Sequence, residues 1–77
     1  MPRSAHSRKH SQFRALLLEA RTRGGLTQKD VARRLGRPQS YVSKYETGER
    51  RLDVVEFLEV TRALRVNPTT IISALES

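Results

Sequence analysis

The chain has 77 residues, enough for one domain with a modest core, and a domain this small buries only about 60% of the surface its unfolded chain exposes. Fifteen lysines and arginines against eight acids give a net charge of +7, which favours a polyanionic partner or an anionic membrane surface. The lack of cysteine excludes a disulfide framework and a thiolate metal site, and no apolar run has the length of a membrane span or the pattern of a secretory signal, so a soluble cytoplasmic protein is expected.

Residues 1–10 hold Arg3, Arg8, Lys9 and two histidines with no acid, and are expected to form a basic arm ahead of a domain over 11–77. His6 and His10 lie four apart, but further metal ligands are lacking nearby, so no metal site is expected. A first helix is predicted from about Ser11 to Arg23, with Phe13, Leu16, Leu17 and Ala20 as its apolar stripe, Leu18 off it, and Gly24 as a left-handed cap.

Three further helix starts share one design, an apolar residue before the N-cap and another four positions after it. Leu26, Thr27 and Val31 form the first, Leu52, Asp53 and Phe57 the second, with Glu56 completing a capping box, and Val66, Asn67 and Ile71 the third, with Pro68 at the first helical position. Gly36 supplies a left-handed turn residue between the second and third helices, and Pro38 keeps Arg37 extended and opens the third. The expected fold is therefore all-α, with five helices. Its remaining core positions are Val31, Ala32, Leu35, Val42, Tyr45, Val54, Phe57, Leu58, Thr61 and Leu64.

The third helix carries the chemistry. Gln39, Ser40, Ser43, Lys44 and Thr47 share a polar face opposite Val42 and Tyr45. Glutamine offers the paired donor and acceptor that match adenine, serine suits either kind of base edge, and lysine reaches guanine acceptors or a phosphate. Charge is segregated to match. Residues 1–52 carry thirteen basic and four acidic side chains, or +9, and residues 53–77 two and four, or −2, as for a docking face and a separate support.

With LTQKDVARRLG, then PQSYVSKYETG, then RALRVNP, residues 11–76 resemble phage repressors of the Cro and C1 type, the Xre-type regulators. The resemblance implies a lambda-repressor-like helix-turn-helix domain whose third helix enters the major groove. It implies that Gln28 braces Gln39, which pairs with adenine, that Ser40 and Lys44 read neighbouring bases, with Ser43 on the same face, and that Thr27, Tyr41, Thr47 and Arg51 contact phosphates, with Arg37 as a plausible addition. Arg21 and Glu46 match a buried ion pair between the first and third helices. Two positions depart from the pattern: Arg65 replaces a usual glycine after the fourth helix, and Leu52 a common proline.

The implied function is sequence-specific binding of double-stranded DNA, as a dimeric repressor of phage, mobile-element or restriction–modification controller type acting on a palindromic or pseudo-palindromic operator. The dimer surface is expected on the fifth helix, with Ile71, Ile72 and Leu75 and with Ile72 outermost. No cofactor or small-molecule ligand is expected, and neither a glycine-rich phosphate loop nor a carboxylate pair supports catalysis. An antitoxin that binds a toxin and regulates its own operon is the alternative, although little chain remains beyond Leu75 for a toxin-binding segment.

Overall fold

The computed structural model describes residues 7–77 as α1 (Arg8–Arg23), α2 (Gln28–Leu35), α3 (Gln39–Thr47), α4 (Val54–Leu64) and α5 (Pro68–Glu76), with no strand among the described residues. The first helix begins three residues earlier than expected, because Ser7 is its N-cap and accepts from the His10 backbone N–H at 3.1 Å. Of the arm expected over 1–10, residues 8–10 are helical, while 1–6, and with them Arg3 and His6, lie outside the described residues. Two side chains of this early turn tie α1 to the far end of the chain. Lys9 Nζ donates to the Leu75 carbonyl and Gln12 Nε2 to the Ala74 carbonyl at 3.1 Å, satisfying acceptors that the end of α5 would leave open.

Gly24 is not the left-handed cap. It keeps a right-handed φ of −77°, and Gly25, at φ 70°, makes the reversal one residue later. Gly36 is left-handed as expected, with φ 67°, and turns the chain between α2 and α3. Thr27 and Asp53 both form capping boxes, with Asp30 and Glu56 respectively, and Asn67 caps α5 ahead of Pro68. Arg65 takes the left-handed conformation at the end of α4, φ 60° and ψ 42°, at a cost of about 1 kcal/mol for a side-chain-bearing residue.

The core joins Leu17, Val31, Ala32, Tyr41, Val42, Tyr45, Phe57, Val60, Ala63, Leu64 and Ile71. Leu18 stays exposed, as its place off the stripe requires. The fourth helix buries a different face from the one expected. Val54 and Leu58 are 74% and 48% exposed, whereas Val60 and Ala63 are buried with Phe57, Thr61 and Leu64. Positions 57, 60, 61 and 64 follow the three-four spacing of one helical stripe, and Val54 and Leu58 flank it. Ile71, expected at a dimer surface, is 6% exposed and belongs to this core, while Leu75 is partly buried beside it. Ile72 does face outward.

Candidate nucleic-acid interface

The second and third helices pack closely on each other, with α1 beneath α3 and α4 beneath α2. Arg21 on α1 meets Glu46 on α3 in a two-pronged ion pair, Nε to Oε2 at 2.6 Å and Nη2 to Oε1 at 3.2 Å, with both side chains largely buried. The same guanidinium donates to the Leu26 carbonyl at 3.0 Å, so it also fixes the entry to α2. Glu46 Oε1 accepts a further bond from Gln28 Nε2 at 2.8 Å, and Gln28 Oε1 accepts from Gln39 Nε2 at 3.2 Å. A hydrogen-bonded relay thus runs from the core, Arg21 to Glu46 to Gln28 to Gln39, and ends on an exposed amide.

The relay has a direction. A carboxylate only accepts, so Gln28 must turn its nitrogen to Glu46 and its oxygen to Gln39. Gln39 then spends one amide hydrogen on Gln28 and keeps the other hydrogen and its own oxygen for a ligand, the donor and acceptor pair that adenine N7 and N6 require. Ser40 and Lys44 are exposed on the same helix and Ser43 is half-buried.

Pro38 caps α3 without a side-chain hydrogen bond, and with the Tyr41 N–H donated to the Pro38 carbonyl at 3.0 Å it is the Gln39 and Ser40 N–H groups that an anion such as phosphate could meet. At the start of α2, Thr27 Oγ1 accepts from the Asp30 N–H at 3.0 Å. The Asp30 carboxyl is held below its usual range by the Thr27 backbone N–H first and the Thr27 hydroxyl second. Thr47 is exposed, and its hydroxyl donates to the Lys44 carbonyl at 3.2 Å. Arg51 is exposed.

Tyr41 is more buried than an outlying contact residue. Its ring is 7% exposed, packed edge-on to Tyr45, and its faces carry the Arg37 and Arg50 guanidiniums, 4.5 Å and 4.7 Å from the centroid. Tyr41, expected at a phosphate, thus carries two cations on its ring. Arg50, which the sequence reading missed, is gripped by Glu56 at 2.7 and 3.2 Å, and Arg37 lies 3.8 Å from Glu59. Glu56 therefore serves twice, in the capping box of α4 and as the holder of Arg50, and these bonds bring its carboxyl down to about 2. Burial first, and the charge of Glu46 second, push the Tyr45 phenol up.

Residues 17–71 match the helix-turn-helix family model. An XRE-family like protein from Pseudomonas syringae pv. tomato str. DC3000 is 51% identical over 88% of this chain and 83% of its own, with a TM-score of 0.85. The chain belongs to the Xre-type helix-turn-helix family. As an Xre-type protein it is a DNA-binding transcriptional regulator and not an enzyme. Other similar Xre-type folds are the restriction–modification controller protein C.AhdI from Aeromonas hydrophila, 34% identical over 80% of this chain and 94% of its own with a TM-score of 0.73, and the controller C.Esp1396I. The latter is 23% identical over 90% of this chain and 91% of its own, with a TM-score of 0.80, and shows the shared fold. Comparison with curated proteins found no match. No described helix is long and apolar enough to cross a membrane.

Proposed function

We propose that this Xre-type protein is a dimeric, operator-specific regulator, a repressor in phage, mobile-element or restriction–modification circuits, acting in the cytoplasm. The observation that carries the base-reading assignment is the relay ending on Gln39, because it orients a neutral amide from a buried ion pair with no other recipient for its free groups. Ser40, Ser43 and Lys44 extend the reading face. Gln28, Thr27, Arg37, Arg51 and the open start of α3 position it on phosphates, which fix register without reading sequence. Thr47 joins them once its hydroxyl turns from Lys44.

One reading helix covers too few base pairs to single out one genomic site, so two copies across half-sites about 34–36 Å apart are the economical solution. Ile72 offers the surface for that pairing, but not with Ile71. It groups instead with Val54 and Leu58 of α4 along a shallow groove, with Val55 exposed on the same turn of α4. This apolar patch lies in the acidic half of the chain, so a two-fold pairing through it avoids opposing the two basic faces. The similar C.Esp1396I has been crystallised as a tetramer in complex with its natural 35 base-pair operator. Selection of bound sites from random DNA tests the reading: it should return two inverted half-sites with adenine at a constant place in each, and a single half-site or no enriched sequence would contradict it.

A further inference from the structure

Between the carboxyl ends of α2 and α4 lies a cleft of about 430 Å³. Its base is formed by the more buried Leu35 and Ala63, and its walls carry Arg34, Arg37, Arg62 and Arg65. Arg34 is pinned across it by a 2.7 Å hydrogen bond to the Ala63 carbonyl. The only acid on the lining is Glu59, half-exposed and 3.8 Å from Arg37, a pairing that solvent screens heavily. Arg62 and Arg65 are exposed and make no ion pair among the described residues.

Cations in the last turn of a helix complement its dipole, and that accounts for Arg34 and Arg62. It does not account for Arg65. This residue stands past the end of α4 and is the only non-glycine residue with positive φ among the described residues, at a place where glycine would cap the helix without strain. What the arginine adds there is a guanidinium on the cleft wall. The cleft adjoins the reading helix at one end only, where Arg37 stacks on Tyr41, while Arg62 and Arg65 line it from the α4 side.

We infer that this cleft docks an acidic, amphipathic segment of another protein, whose carboxylates meet Arg62 and Arg65 and whose apolar side chains cover Leu35 and Ala63. Charge complementarity selects the acid, because planar guanidiniums take carboxylates in paired hydrogen bonds. The apolar base favours a peptide over flanking DNA, whose sugar–phosphate backbone would gain from the charge alone. Docking beside a DNA-bound regulator is how such a segment would be recruited to the promoter, so the inference rests on the DNA-binding reading above.

The test uses the full chain saturated with its selected operator, which covers the reading face, and a fluorescent peptide of repeated Glu-Glu-Leu as the probe. Wild type should bind it saturably. Arg62→Ala with Arg65→Gly should weaken binding by about tenfold, roughly the loss of one charge-assisted contact, with operator affinity unchanged. Arg65→Gly alone should weaken the peptide and leave the melting temperature equal or higher, a combination that a purely structural role for Arg65 would not give. Arg23→Ala, which alters an exposed arginine outside the cleft, should leave peptide affinity alone. Equal peptide affinity in the double variant would overturn the inference. So would a fall in its operator affinity with a shallower salt dependence, which would assign the cleft to flanking DNA. Should no operator be recovered, the DNA reading fails in that earlier step, and the same titration on the free protein still decides the cleft.

Discussion

Gln28 presents its amide oxygen, not its nitrogen, to Gln39, because the nitrogen is committed to the Glu46 carboxylate at 2.8 Å. The polarity of the Gln39 amide, the proposed base reader, is thus set from within the protein. Arg21 holds Glu46 in place, Glu46 orients Gln28, and Gln28 orients Gln39. Preorganisation of this kind reduces the rotamer entropy lost on binding and favours one base over its competitors.

Breaking the ion pair from either side should therefore damage both fold and function. Arg21→Ala or Glu46→Ala strands a largely buried charge and should cost about 3 kcal/mol of stability, read from denaturant unfolding, together with a loss of operator affinity. In a double-mutant cycle the two losses should couple by about 1 kcal/mol or more. Additive losses would show that the pair is not a unit.

A second consequence is a dependence on pH. Hydrogen bonds from Arg50 first, and the Asp53 backbone N–H second, bring the Glu56 carboxyl from an ordinary value of 4.5 down to about 2. A carboxyl with a folded value below its unfolded one binds fewer protons when folded, so it stabilises the protein fully above about pH 4.5 and loses that effect as pH falls towards about 2. Glu56→Gln should lower stability at neutral pH and shrink the acid-induced loss across this window. Urea midpoints that fall by the same amount in wild type and variant would contradict the assignment.

Much of this arrangement was legible from residue types and spacing, and the parts that were not share a cause. Helix ends are local, so Thr27, Asp53 and Asn67 announced their starts through side chains that bond within three residues, and Pro68 through its preset φ. The Arg21–Glu46 pair, 25 residues apart, came only through resemblance to a family. Which flank of α4 is covered depends on where α1, α2 and α5 lie, and the apolar pattern of that helix is broad enough for Val54 and Leu58 to compete with Val60 and Ala63. Arg50 escaped notice for a similar reason. Its significance comes from Tyr41 nine residues earlier and Glu56 six residues later, and neither spacing is a helical one. The box partner Asp30 was readable, since an acid three residues after a threonine cap is the same signal that identified Glu56.

The apolar patch on α4 and α5 yields a prediction about assembly. Ile72→Asp places a charge where Val54 and Leu58 would meet a second copy, and Ile72 is exposed enough for the monomer to fold with it. Sedimentation at micromolar concentration should show wild type as a dimer and the variant as a monomer, with operator binding weakened far more than binding to random DNA. A wild-type monomer that binds one half-site with full affinity would contradict the pairing.

The most direct test of the account is the affinity of Gln39→Ala for the selected operator measured beside its affinity for random DNA. Gln39 is exposed and contributes nothing to the core, so its removal probes the end of the relay without disturbing the scaffold. Loss of a two-pronged contact to adenine should cost about 1–3 kcal/mol on the operator and little on random sequence, with Gln28→Ala showing the same pattern less strongly. Equal losses on both DNAs, or none on the operator, would show that the relay does not end on a base.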